Sequence, residues 1–288
     1  MPVHLVFAMR KGIGKLRWGL WDTIGWERQM PDADGWREMI GQTAKSLVAT
    51  VTAQTFSRYL GTASGPAEFI CSDGNVYIVK SKRNISGPNE SVLVNEHVMA
   101  WLGREISAPI PEIRIVDIPQ DVISNQPQIS HMAPGLSHGS LSVAPCTDSR
   151  VVDHLDVPGN RERFALLAIF YGWLEAGDHQ FLYADTDPKL VYSADHGHFI
   201  FGGGARTASR LSNVAARAAP DVFFSSCSFT AEELRAAGTG LHHVSDSMIA
   251  QVVASPPAEW NFGLDDRVAF AIYLARRRDE LLDDIVRA

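Results

Sequence analysis

The sequence predicts an α+β protein in two parts, a β-rich first half holding one helix and a mainly helical second half. Three observations carry this. From about Val51 the apolar residues come in short strand-like runs separated by turn residues. AEFICSDGNVYIVK is two such runs around Ser72-Asp73-Gly74, a hairpin turn in which glycine takes positive φ at little cost. After Val157 the spacing becomes helical, in RERFALLAIFYGWLEA and again in the terminal LDDRVAFAIYLARRRDELLDDIVRA.

In chain order, residues 1–47 stand apart. Four of the seven tryptophans (Trp18, Trp21, Trp26, Trp36) fall there among Arg10, Lys11, Lys15 and Arg17, with weak periodicity. The expectation is a loosely attached extension or surplus upstream sequence; a surface for membrane or partner is the competing reading. Strands follow, and Ser91 to Ile106 reads as a helix with Asn89 available as its cap. EIRIVDI and QISHM read as further strands, and MAPGLSHGSLSVAP as a Pro-, Ser- and Gly-rich connection. In the second half, FLYA and KLVYSA are short strands around the turn DTDPK.

Composition narrows the function. The chain has 288 residues, 45% of them hydrophobic, enough for one large domain or two modest lobes. A net charge of −7 argues against a nucleic-acid-binding surface. No apolar run reaches the roughly 20 residues that cross a bilayer. The N-terminus places its basic residues after a short apolar run, the reverse of a secretory signal. Cys71, Cys146 and Cys227 form neither a disulfide framework nor a CxxC motif. A cytoplasmic protein is expected.

The chemistry-bearing residues gather around GDHQFLYADTDPKLVYSADHGHF. If FLYA pairs antiparallel with KLVYSA, Asp178 and Asp195 emerge at the same end. Two carboxylates on neighbouring loops suit phosphoryl transfer, one orienting a hydroxyl and one holding Mg²⁺ against phosphates. His179, His196 and His198 with the aspartates offer a rival, a zinc site that activates water. The first half decides between them. Alternation in NVYIVK puts Val76, Ile78 and Lys80 on one face, read as the buried one. Val92, Glu96, Met99 and Gly103 form one helical stripe, so Glu96 also lies in an apolar face. Two buried opposite charges on consecutive elements should pair. Such a pair, ready to grip α- and β-phosphates, is the protein-kinase arrangement, and Gly61, Ser64 and Gly65 precede it as a phosphate-covering turn. A zinc hydrolase has no use for Lys80 and Glu96.

SGPAEFICSDGNVYIVKSKRN…LVNE, GLSHGS, GDHQFLY, ADHGHF and PPAEW…YLARRRDEL together resemble the HipA-like kinase family, bacterial serine/threonine kinases of which some are toxins of toxin–antitoxin pairs. DHGHF also resembles the metal loop of phosphatidylinositol kinases. The resemblance spans roughly Val51 to Arg287. It implies a bilobal kinase-like fold, with the β-rich N-lobe over 48–134 and the helical C-lobe over 135–288. It implies ATP and Mg²⁺ as cofactors, a protein substrate, and an antitoxin or regulatory partner. Lys80 becomes the phosphate-binding lysine, Glu96 its partner, and Gly61, Ser64 and Gly65 the phosphate loop. The hinge against adenine falls near Ser130, Met132 and Ala133, the metal ligand is Asp195, and the catalytic aspartate is Asp178.

One departure stands out. The family's Asp-Arg-His-x-x-Asn loop is shortened, with no asparagine between Asn160 and Asn213. Gln180 replaces it as second metal ligand if the loop carries a deletion; aligned without a gap, Glu175 takes the catalytic position instead. A nucleotide-binding pseudokinase acting through a partner is therefore the alternative to an active enzyme, and a metal-dependent hydrolase the third.

Overall fold

The hairpin at Ser72–Gly74 anchors the first sheet. Strand β2 (Ala67–Cys71) pairs antiparallel with β3 (Val76–Lys80). Gly74 turns the chain at φ +80°, and the Asp73 carboxylate accepts from the Asn75 backbone at 3.1 Å and the Tyr77 hydroxyl at 2.7 Å. With β1 (Thr50–Tyr59), β4 (Ile113–Ile118) and β5 (Gly135–Leu141) these strands close a barrel in the order β1-β2-β3-β5-β4. The computed structural model describes residues 30–43, 48–62, 65–82, 90–202, 211 and 217–287. The chain divides into two compact units, Met1–Met30 and Pro31–Ala288, and every element described lies in the second.

The barrel interior is apolar: Val51, Ala53, Phe69, Tyr77, Val79, Val116 and Ile118 meet there with Ile129 and Met132. Tyr77 and Val79 therefore face the core, which puts Lys80 on the opposite face of β3, a correction to the expected orientation. Lys80 is buried by other elements instead.

Two readings of the β4–β5 region change. QISHM is not a strand: Pro127–Ile129 forms a 3-10 turn, and Ile129 and Met132, three residues apart, both reach the core, a spacing that suits a turn and not an extended chain. The strand is β5, inside the segment read as a connection. It pairs with both β3 and β4, so the barrel extends to Leu141. Its buried centre is Ser137, His138 and Gly139. A Cβ on Gly139 would lie 2.5 Å from Val116 Cγ2, so no side chain fits there.

Helix α1 (Ala33–Gln42) is capped by Asp32, whose carboxylate accepts from Gly35 N at 2.9 Å. It buries Trp36 and Ile40. Residues 33–42 were expected within the 1–47 extension; the structure packs them, because an indole removed from water favours burial strongly. The remaining tryptophans of that expectation lie outside the described residues. Helix α2 (Glu90–Glu105) packs against β4 and β5; its expected cap Asn89 lies outside the described residues. A short helix α3 (Gln120–Ser124) follows β4.

The second half holds β6 (Cys146–Ser149), β7 (Gln180–Ala184) and β8 (Val191–Ala194) as one antiparallel sheet in that order. Among the described residues its helices include α4 (Asn160–Leu174), the helical turn α5 (Phe199–Gly202), α6 (Ala231–Gly238), α7 (Asp246–Ala254) and α8 (Leu264–Arg287). Helix α1 packs on α7 and α8, and Arg37 bonds Asp265 at 2.9 Å. Trp173 of α4 donates to Leu274 O of α8 at 2.9 Å, and the Arg277 guanidinium returns bonds to Trp173 O and Gly172 O.

Candidate functional site

Lys80, at the end of β3, bridges two carboxylates. Its Nζ bonds Glu96 Oε1 and lies 2.6 Å from Asp195 Oδ1. The three side chains are 11%, 3% and 21% exposed, so the pairings form mostly out of water. Burial alone would push the Lys80 ammonium down, but the charges of Glu96 and Asp195 outweigh it and hold the pKa above its usual value. The expected pairing of Lys80 with Glu96 is present, and Asp195 joins it.

Helix α2 also fixes the loop that follows β8. The Glu96 carboxylate accepts from the backbone of Gly197 at 2.9 Å and of His196 at 3.2 Å. Asn95 donates to Gly197 O at 3.1 Å and Phe199 O at 2.8 Å. Such close approach requires glycine at 197, where a Cβ would lie 2.5 Å from Val92 Cγ1 and 3.0 Å from Glu96 Oε1. Asp195 takes φ +58°, a left-handed conformation costly for a non-glycine residue and held here by these contacts.

The expected hairpin is present, with Gln180 opposite Ala194. Asp178 and Asp195 therefore leave the sheet at the same end. In loop 175–179, Glu175 and Asp178 are held by different partners. Glu175 turns toward α8, accepting from the Tyr273 hydroxyl with Arg277 3.8 Å away. Asp178 pairs with Arg150, just beyond β6. His179 bonds Asp221 at 3.0 Å and stacks on Phe223 at 4.1 Å. The Gln180 amide nitrogen donates to Asp148 of β6 at 3.0 Å.

Two histidines of the zinc reading, His179 and His196, bond other groups. His196 bonds Ser193 Oγ at 2.9 Å, and that hydroxyl meets Tyr171 at 2.6 Å. Among the described residues no group of three or more His, Cys, Asp or Glu could hold a metal. Burial, with the Lys80 charge nearby, drives the pKa of His196 down to about 3 and that of His138 likewise to about 3. His97 is also pushed well below its usual value by burial; its Nε2 contacts Ser255 Oγ at 3.0 Å.

The phosphate-loop candidates lie between β1 and β2. Gly61 and Gly65 take φ of +46° and +56°, and Gly65 N bonds Thr62 O at 2.9 Å. Ser64 lies outside the described residues. The segment 130–133 touches this turn, since His131 bonds Gly65 O at 3.0 Å. It is not the crossing between sheets, however. Met132 is buried in the barrel core and Ala133 N donates to Lys82 O at 2.8 Å. The chain passes from barrel to second sheet at 142–145, after β5. Arg150 and Asp148 carry no sequence motif, whereas His138 lies within GLSHGS without a role read from it; the register of β6 against β7 brings Arg150 and Asp148 beside Asp178 and Gln180.

A strand lysine is clamped between a helix glutamate and a loop aspartate, with a second aspartate at the same sheet end, a geometry compatible with phosphoryl transfer. The chain belongs to the HipA-like kinase family, whose profile matches residues 57–201. Among solved structures it is similar to CtkA, a proinflammatory kinase of Helicobacter pylori. The TM-score is 0.54 at 10% identity, over 83% of this chain and 96% of that one, and the likeness is of fold alone. The Golgi casein kinase matches with a TM-score of 0.44 at 13% identity, over 88% of this chain and 77% of that one. No curated protein matches it.

Proposed function

We propose that this HipA-like kinase transfers the γ-phosphate of ATP to a serine or threonine hydroxyl of a protein, with Mg²⁺ as the metal. We read the barrel with α2 as the N-lobe and the second half as the C-lobe. The observation that carries the reading is Lys80 bridging Glu96 and Asp195. Lys80 binds the α- and β-phosphates, Glu96 keeps it in place, and the turn at Gly61 and Gly65 covers the phosphates. Asp195 would hold Mg²⁺, which takes one or two carboxylates and completes its shell with phosphate oxygens and water. When bound, the metal neutralises charge on the phosphates. Asp178 orients the acceptor hydroxyl. Gln180 is the candidate second ligand through its amide oxygen, since its nitrogen is engaged by Asp148. By family resemblance we place the protein in the bacterial cytoplasm, as a toxin-type regulator with an antitoxin or other protein partner.

Intact-mass spectrometry of the purified protein, incubated with Mg²⁺-ATP and a generic protein acceptor, tests this. Phosphate gained on either protein, and lost with Asp178→Asn, is the expected result. The shortened loop and the Gln180–Asp148 bond favour the pseudokinase as second reading. Stabilisation by ATP with no phosphate gained would establish it.

A further inference from the structure

Loop 175–179 is pinned at both ends and open in the middle. At its start Glu175 is held by Tyr273, with Arg277 nearby, and its carbonyl accepts from Ile200 N at 3.0 Å. At its end His179 is fixed between Asp221 and the Phe223 ring. Neither contact sets the direction of the Asp178 carboxylate between them. Arg150 does, donating from Nη1 to Asp178 Oδ1.

The arginine is itself well placed. β6 runs antiparallel to β7 with Ser149 opposite Phe181, so the next position along it, 150, falls beside the residues leaving the loop. The Gln180–Asp148 bond ties the same two chains a second time, one residue away on each side of the pairing. Arg150, the residue directly after β6, reaches Asp178 from beside this paired strand end. The guanidinium is planar and pre-organised, and in binding Oδ1 it leaves Oδ2 for a hydroxyl.

We propose that Arg150 is a positioning residue for phosphoryl transfer, holding the Asp178 carboxylate in the orientation that receives the acceptor hydroxyl. This rests on the role given to Asp178 above. The effect falls on turnover more than on stability, because Arg150 is 63% exposed and an exposed pair stabilises a fold little. Misplacing a reacting group by about 1 Å can cost on the order of 100-fold in rate.

The test compares wild type, Arg150→Ala, Arg150→Lys, Asp178→Asn and the Arg150→Ala/Asp178→Asn double variant. It measures kcat, the KM for ATP, and melting temperature with and without Mg²⁺-ATP. Arg150→Ala is expected to lower kcat by about 10- to 100-fold and to leave the KM for ATP and both melting temperatures near wild type. Arg150→Lys should recover part of the loss, since it restores charge without the fork. In the Asp178→Asn background the arginine should no longer matter. Full turnover in Arg150→Ala, an equal further loss in the double variant, or a loss that tracks a lower melting temperature would each overturn the proposal. A wild type that binds ATP but transfers nothing overturns the role of Asp178 first, and the proposal with it.

Discussion

Replacing Lys80 by Met removes the cation from between two carboxylates while keeping most of the side-chain volume. Glu96, 3% exposed, keeps its bonds from His196 N and Gly197 N. Asp195, 21% exposed, loses its Lys80 partner. Removing one member of a buried ion pair costs about 3–5 kcal/mol. The lower end applies here, because Asp195 reaches water and Glu96 retains two donors. At roughly 2–4 °C per kcal/mol for a chain of this size, the melting temperature should fall by about 6–12 °C. Adding Glu96→Gln removes one stranded charge at nearly constant volume. The double variant should then be more stable than the sum of its parts by about 1–3 kcal/mol, within the range of coupled neighbours. In ATP use, Glu96→Gln should be about as damaging as Lys80→Met, and the double variant little worse. Thermal melts and turnover of the four proteins measure both cycles. Strictly additive effects would refute the coupling and the role given to the pair.

Four further outcomes are expected. His138 and His196 are held near pKa 3 in the fold but titrate near 6.5 once unfolded, so below pH 6.5 the unfolded chain binds more protons. Stability should therefore fall with pH by up to about 1.4 kcal/mol per unit for each histidine between pH 6.5 and 3; a melting temperature flat from pH 7 to about 5 would contradict this. Gly197→Ala, whose Cβ would crowd Val92 and Glu96, should destabilise by about 1–3 kcal/mol and weaken ATP binding in calorimetry. Trp36→Ala should cost about 3–5 kcal/mol by denaturant melts, whereas deletion of residues 1–29 should leave the ATP-induced melting shift intact.

Much of the site was legible because it rests on short-range periodicity. Alternation placed Val76, Ile78 and Lys80 on one face, and helical spacing put Glu96 in an apolar stripe. The face of β3 was misjudged, because burial by α2 and the Asp195 loop looks the same in sequence as burial in a barrel. β5 was hidden since its buried centre is Ser137, His138 and Gly139, where close packing and polar contacts replace apolar alternation. The crossing at 142–145 follows β5 and lies outside the 130–133 segment named for the adenine hinge. Arg150 was illegible for another reason. Its partner lies 28 residues away, and only the register of β6 on β7 brings them together.

A crystal structure of the full chain with Mg²⁺ and a non-hydrolysable ATP analogue tests most directly whether Lys80, Asp195 and Asp178 form one phosphotransfer site. The metal should sit on Asp195, the α- and β-phosphates against Lys80, and the γ-phosphate should face Asp178 within reach of a modest acceptor. A nucleotide bound elsewhere, or one whose γ-phosphate points away from Asp178 with the metal on other ligands, would contradict the account.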